Sequence, residues 1–457
     1  MKTIYKSFIA LGLAVLVTAC DFTDLDPTDK VGENNIFSSV SALEQAVTGA
    51  YSQMSLRTTI QVSAVLSDDV YKGGQNGGAG DNSYQWTYSA ATGDHNNLWL
   101  KYYTVIDMAN RILDGVEAVP AVTEDEIKGK NNSIGTAMFI RAYLSFELLR
   151  YFSDFEKGNS YGVPYMLKPI TLETPGRDNV DKCFELIIKD LEECLPLLSQ
   201  NTPSDPAYVS KTAVKALLAR VYLYQKKYDN AYQWASDAIK DKPFAGLSNY
   251  EAIWSDESNE DVILKLRKLS GEETIGTIFF SADNSSAFEP STELIESFDP
   301  ADIRLATFIG DGVDREGVKV KRVNKYKGTS ENVGLADQKL LRSSEMVLIM
   351  AEAKTQTGDL QAANNWLNQL RAERIQDWTS TNYTSKEELL QEVLLERRRE
   401  LCYEGHRFFD MRRFAQPIFK RLINKTLKVD DHLRIMPIPL SEMQGNPVIA
   451  EQQNPGY

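Results

Sequence analysis

Hydrolysis of a glycan requires two carboxylates facing each other across a cleft, one of them kept protonated by burial. The chain has 64 acidic residues, yet no spacing singles out such a pair. Glu396 and Glu400 share a helix face, but they alternate with Arg397, Arg398 and Arg399, and that pattern reads as an ion-pair network between adjacent helices. The three histidines, His95, His406 and His432, stand at no metal-ligand spacing to one another, which argues against a zinc enzyme. A phosphate-cradling Gly-x-x-x-x-Gly-Lys is missing from the sequence. The reading is therefore of no catalytic residue, no metal and no cofactor.

Aromatic and polar side chains gather instead in an irregular stretch, about 68–97, that holds Gly73, Gly74, Gly77, Gly78 and Gly80. Tyr71, Tyr84, Trp86 and Tyr88 lie there beside Asp68, Asp69, Asn76, Asp81 and Asn82. Sugar rings offer apolar C–H faces to aromatic planes and hydroxyls to amides and carboxylates, so this mixture suits saccharide capture, and peptides can use the same inventory. Tyr71, Asp81, Asn82, Tyr84 and Trp86 are the binding candidates; the competing reading is that the aromatics pin the loop to the body. A second irregular region, about 244–338, contributes Phe280, Asn284 and Phe288 as candidates for an opposite wall. Its short alternating stretches, Val262 to Leu266 and Val318 to Val323, read as strands. Calcium at Asp81 and Asn82, or at Asp311 and Asp314, lacks the twelve-residue loop that would support it.

One further residue carries covalent chemistry. Lys2 and Lys6 precede an apolar run, Phe8 to Val17, that ends at Thr18-Ala19-Cys20. The run is too short to span a bilayer, and small residues ahead of a cysteine fit a lipoprotein signal at 1–19, cut before a lipidated Cys20. The mature chain, 438 of the 457 residues, is then anchored to a membrane and does not cross it. An acidic, turn-rich segment within 20–35 suits a tether. Loss of Lys2 and Lys6 takes the formal charge from −14 to −16, which argues against nucleic acid and favours a neutral or cationic ligand. Cys183 and Cys194, eleven residues apart on a helix, sit about 16 Å apart along its axis, too far for a disulfide.

Helices must position these groups. Ser41-Ala42-Leu43-Glu44 reads as a capping box opening a first helix, and amphipathic spacing predicts others over Leu98–Val116, Ile134–Phe152, Val180–Leu198, Lys211–Gln225, Asn230–Lys240, Leu341–Thr357, Leu360–Ile375 and Ser385–Tyr403. At an offset of 132, Ala219 falls on Ala351, Tyr228 on Leu360, Ala231 on Ala363 and Ala238 on Leu370. Each copy reads as helix, tight turn and helix with alanines at the crossing, the logic of a tetratricopeptide unit. Ile134–Phe152 with Val180–Leu198 reads as a further pair.

Asp24-Leu25-Asp26-Pro27 follows Cys20, and further along come Trp99 to Tyr103 with Ala109-Asn110, Arg141-Ala142-Tyr143, the block Arg342 to Arg371, Glu396 to Asp410, and Pro437-Ile438-Pro439 through Gln453-Asn454-Pro455-Gly456-Tyr457. With these pieces in order, the chain resembles the SusD/RagB family of nutrient-binding lipoproteins. The resemblance implies a mostly α fold over 20–457, with tetratricopeptide-like hairpins on one side and a loop-rich ligand side containing short strands. It implies a place on the outer membrane facing the cell exterior. It also implies a SusC-like TonB-dependent transporter over which the chain works as a lid, passing oligosaccharide inward, or peptide in RagB-like members. A surface glycosidase is the alternative of another class. Labelled fatty acid should attach to the chain in cells and be lost in Cys20→Ser; labelling that survives the substitution would refute the anchor.

Overall fold

A computed structural model describes residues 36–457 apart from positions 75, 170, 171, 284 and 315. The signal at 1–19, Cys20, the tether at 20–35 and Asn284 lie outside the described residues. The principal helices are α1 (Val40–Ser52), α2 (Arg57–Leu66), α3 (Asp81–Gln85), α4 (His95–Gly115), α5 (Glu124–Phe152), α6 (Val180–Cys194), α7 (Lys211–Tyr224), α8 (Tyr228–Asp241), α9 (Ser343–Thr357), α10 (Leu360–Ala372), α11 (Lys386–Leu401) and α12 (Arg407–Arg413). Helix starts differ from expectation by two or three residues at α1, α4, α8 and α9, and by ten at α5. The α1 cap is Ser39, whose hydroxyl accepts from Ala42 N, and not Ser41. In α5 ten residues, all polar but Ile127 and Gly129, precede the amphipathic part, because Thr123 and Glu126 form a reciprocal capping box that nucleates the helix early.

The repeat is real in three dimensions. Hairpins α7/α8 and α9/α10 occupy equivalent positions, α8 packs against α9, and α11 closes on α9. Ala219, Ala231, Ala238, Ala351 and Ala363 are all fully buried, so backbones approach at the crossings as the alanine spacing requires. The inner helices α7 and α9 are buried almost all round, whereas α8 buries only Ala231, Ala235 and Ala238 and leaves its outer face in water. The pair α5 and α6 packs as a further antiparallel unit, with α4 and α1 against α5.

Among the described residues, eight short strands form four antiparallel pairs. Strand β1 (Val70–Lys72) pairs with β3 (Phe288–Pro290), β2 (Val262–Leu266) with β6 (Gln338–Arg342), β4 (Ile309–Val313) with β5 (Lys319–Val323), and β7 (Ile418–Lys420) with β8 (Lys425–Leu427). The first pair joins the two irregular regions of the sequence to each other.

Charge is buried on a large scale where the repeats meet. Glu400 on α11 accepts from Arg304 (3.0 Å), Arg342 (2.8 Å), Arg374 (3.0 Å) and the Tyr250 hydroxyl (3.0 Å). One turn earlier Glu396 accepts from Arg304 (2.5 Å) and Arg371 (2.8 Å). Arg397 meets Asp410 at 3.2 Å, and Arg413 meets Glu352 at 2.6 Å. The ion-pair reading of this segment thus holds, and its cations come mainly from elements other than α11. The C-terminal end of α5 is treated differently: Arg412 donates to the carbonyls of Arg150 and Ser153, while Arg177 and Asn454 donate to that of Phe152. Cationic donors there answer the negative end of the helix dipole and its orphan carbonyls, and so the Gln453-Asn454 motif works as scaffold. Cys183, Cys194 and Cys402 are buried free thiols.

Burial alone would raise the Glu396 pKa, but Arg304 and Arg371 outweigh it and hold the carboxyl at about 2. A carboxyl depressed from an ordinary value near 4.5 stabilises the fold fully above that value and loses its contribution as pH falls toward 2. Glu396 should therefore supply about 3 kcal/mol at neutral pH, and Tm measured from pH 6 to pH 2 should fall less steeply in Glu396→Gln than in wild type, from a lower starting point. Parallel curves would show that the carboxylate is not the titrating group.

Candidate functional site

The loop-rich side is hung on the helical body by two aspartates. Arg407 on α12 donates two hydrogen bonds to Asp68, at 2.8 and 2.9 Å, and Arg398 on α11 reaches Asp69 at 3.0 Å. Burial opposes ionisation of Asp68, yet the two guanidiniums hold its pKa below the usual carboxylate range. Two residues on, β1 begins, with Tyr71 opposite Glu289 and Lys72 opposite Phe288. Gly73 N donates to the Ala287 carbonyl at 2.9 Å, and the backbones approach so closely that a Cβ at Gly73 would run into the Ser286 carbonyl oxygen.

The candidate residues separate into two groups. Tyr84, Trp86, Phe280 and Phe288 are core side chains, 1–6% exposed, so the expectation that these aromatics face a ligand is corrected. Lys420 packs against two of them, Tyr84 and Trp86. Its ammonium is buried, lies 4.4 Å from the Tyr84 ring centroid and 4.2 Å from that of Trp86, and donates to the carbonyls of Val65 and Tyr84 at 2.6 Å each. Trp86 Nε1 donates to Leu66 O at 3.2 Å, while Arg322 covers Phe280 at 4.5 Å. The aromatics pin the loop to the body. Tyr71, Asp81 and Asn82 remain at the surface or half-buried: the Tyr71 hydroxyl donates to Glu293, Asp81 pairs with Lys72, and Asn82 accepts from Thr87 at 3.4 Å.

The hairpin β7/β8, absent from the sequence reading, borders the same face. Arg421 meets Glu293 at 2.8 Å, on the carboxylate that also accepts from Tyr71, and Lys425 donates to the Gln85 carbonyl at 3.2 Å. Its burial is inverted: β7 buries Ile418 and Lys420 and leaves Phe419 51% exposed, followed by Leu422 at 60%. A phenylalanine turned outward beside a lysine turned inward gains little from folding, and its ring is free for something else. The signal was present in the residues, as two apolar residues before a turn at Asn424 in the left-handed region. Tyr71, Glu293 and Arg421 form one bonded chain, and the exposed Phe419 and Leu422, within two residues of Arg421, bring apolar surface to it; these residues make up the candidate platform. Among the described residues no cluster of three potential metal ligands occurs.

Two family models match this chain. Residues 21–223 fit a SusD-like family described as starch-binding and associating with the outer membrane, and residues 308–457 fit the SusD family. A SusD-like protein of Bacteroides ovatus is 23% identical over 372 residues, 72% of this chain and 64% of the relative. One from Formosa agariphila is 21% identical over 96% of both chains. The crystal structure of a SusD superfamily protein from Bacteroides vulgatus superposes with a TM-score of 0.80 at 26% identity, covering 92% of this chain and 100% of the other. A putative sugar binding protein from the same organism gives 0.77 at 28% identity, over 92% and 99%. The chain belongs to the SusD/RagB family, and its fold is the mostly α SusD-like one.

If the β1–β3 approach fixes the platform, Gly73→Ala should cost about 1–3 kcal/mol, since a backbone and not a flexible side chain must move. Denaturant unfolding measures the cost, and a midpoint equal to that of wild type would show that the strand pair accommodates a methyl group.

Proposed function

We propose that the chain captures an oligosaccharide outside the cell, from a lipid anchor on Cys20 in the outer membrane, and works as a lid that hands it to a SusC-like TonB-dependent transporter. It would catalyse no step itself. The observation that carries this reading is the exposed aromatic platform on a rigid helical body in a chain of the SusD/RagB family. Support for saccharide comes from the starch-binding description of the family matching 21–223 and from the sugar-binding designation of the 28% identical Bacteroides vulgatus protein. The platform itself supports it: Phe419 and Tyr71 offer ring surface, and Glu293 and Arg421 offer acceptors and donors for hydroxyls. Tether, anchor and transporter follow from the sequence motif at Cys20 and from the family resemblance.

Peptide is the second reading, favoured by a formal charge of −14 that would attract basic segments. Titration of the mature chain against neutral oligosaccharides and against basic peptides separates the two. Phe419→Ala combined with Tyr71→Ala should weaken glycan binding by about tenfold or more, with little loss of Tm, because neither ring is core. The polysaccharide should keep its length after prolonged incubation. Shortened products would make the chain an enzyme, and binding confined to basic peptides would replace the ligand class.

A further inference from the structure

A cleft of about 550 Å³ lies between α1, α5, the 205–209 loop and the stretch after β2. Its size falls within the range of about 300–1,000 Å³ common to small-molecule sites. It lies toward the N-terminal end of α2, where Leu56 N donates to Gln338 and Arg57 to the Thr274 carbonyl. Strand β1 follows the other end of that ten-residue helix, about 15 Å away. The cleft and the platform share no residue.

Its walls are fixed by bonds among and around the lining groups. The Tyr51 hydroxyl donates to the Lys265 carbonyl at 3.1 Å, and Lys265 N donates to Pro206 O at 2.9 Å, which holds the 205–209 loop against β2. Asp337 accepts from Lys268 N at 2.8 Å and from the Lys265 ammonium at 2.6 Å, anchoring the opposite wall. Arg267 and Asp205 pair across the lining at 2.6 Å. Asn132 accepts from Ser199 N at 2.8 Å, and its amide donors remain for other use. At the rim stands Tyr208, 66% exposed, a large ring that folding does not bury.

We propose that this cleft is an additional saccharide-binding site, taking a few neutral sugar units against the Tyr208 ring, with Asp205, Arg267, Asn132 and Thr136 meeting hydroxyls. The inference rests on the reading of the chain as a saccharide binder. Its charges decide the class of ligand. Glu44, Asp205 and Glu272 face Arg267 and Lys268, nearly balanced and partly paired, so the lining offers neighbouring donors and acceptors and no unpaired field of one sign. A polyhydroxylated neutral ligand uses both kinds of group, whereas a charged peptide or uronate needs a surplus of one. Two sites on one body would also let a long chain bind more tightly than a short one, the second contact being intramolecular.

The test is calorimetric titration of the mature chain with cello-, malto-, manno- and xylohexaose, repeated on Tyr208→Ala, Thr48→Arg and Phe419→Ala. Tyr208 and Thr48 are both exposed, and an arginine at Thr48 on α1 would fill the cleft without altering the rim tyrosine, so the two variants test one site independently. For the hexaose that wild type binds, both cleft variants should lose a binding event or at least tenfold in affinity that Phe419→Ala retains. Should both titrate like wild type while Phe419→Ala is impaired, the cleft is no saccharide site and the proposed function stands. If wild type binds none of the four, nor longer neutral chains, the functional reading fails and the cleft proposal fails with it.

Discussion

Arg304, Arg371, Arg374, Glu396 and Glu400 form a cluster of at most 2% exposure at the meeting of α10, α11 and the segment before β4. Removing such ions from water costs several kcal/mol each, and only mutual pairing with good geometry offsets it. Here nearly every member has more than one partner: Glu400 takes three guanidiniums and a phenol, and Arg304 divides its donors among Asp302, Glu396 and Glu400. An apolar core would tolerate small slips between helices. A network of directional bonds does not, because each slip leaves a buried charge unpaired, and so the crossing of the repeats is set in one arrangement.

That constraint propagates to the loop-rich side through the same helix. Arg398 lies between Arg397, which faces Asp410, and Arg399, which faces Glu396, and it points instead toward Asp69. With Arg407 on Asp68, it fixes where the chain leaves α2 and enters β1. The strand then meets β3 through a glycine approach with no spare room. Irregular segments far apart in sequence are thus held by the helical body with the precision of secondary structure, which is what a binding surface on loops needs.

Lys420 shows how polar and apolar roles can be exchanged at such a surface. Burial pushes its pKa well below the usual lysine value, although carbonyls and two aromatic faces satisfy the ammonium. Turning this lysine inward turns its neighbour Phe419 outward, since successive side chains of a strand face opposite ways. The exposed ring is a consequence of register, and the strand that carries it is tied to the Glu293 carboxylate by Arg421, two residues further on.

Local periodicity determined much of this protein. The helix hairpins, the offset of 132 between them, the alanines at their crossings, the strand Val262–Leu266 and the structural character of the Glu396–Glu400 charges could all be read along the chain, because each depends on neighbours within a few turns or on volume at a crossing. Cap positions shifted by one or two residues for α1, and by a whole capping box for α5. What only tertiary structure decided was which aromatics face water. Tyr84 and Trp86 have the composition of a binding loop, yet both pack against the ammonium of Lys420, 336 and 334 residues away in the chain. Phe419 and Tyr208 look like ordinary apolar residues until their neighbours are known. Exposure is a property of what packs against a side chain, and those partners come from distant segments that no local pattern encodes.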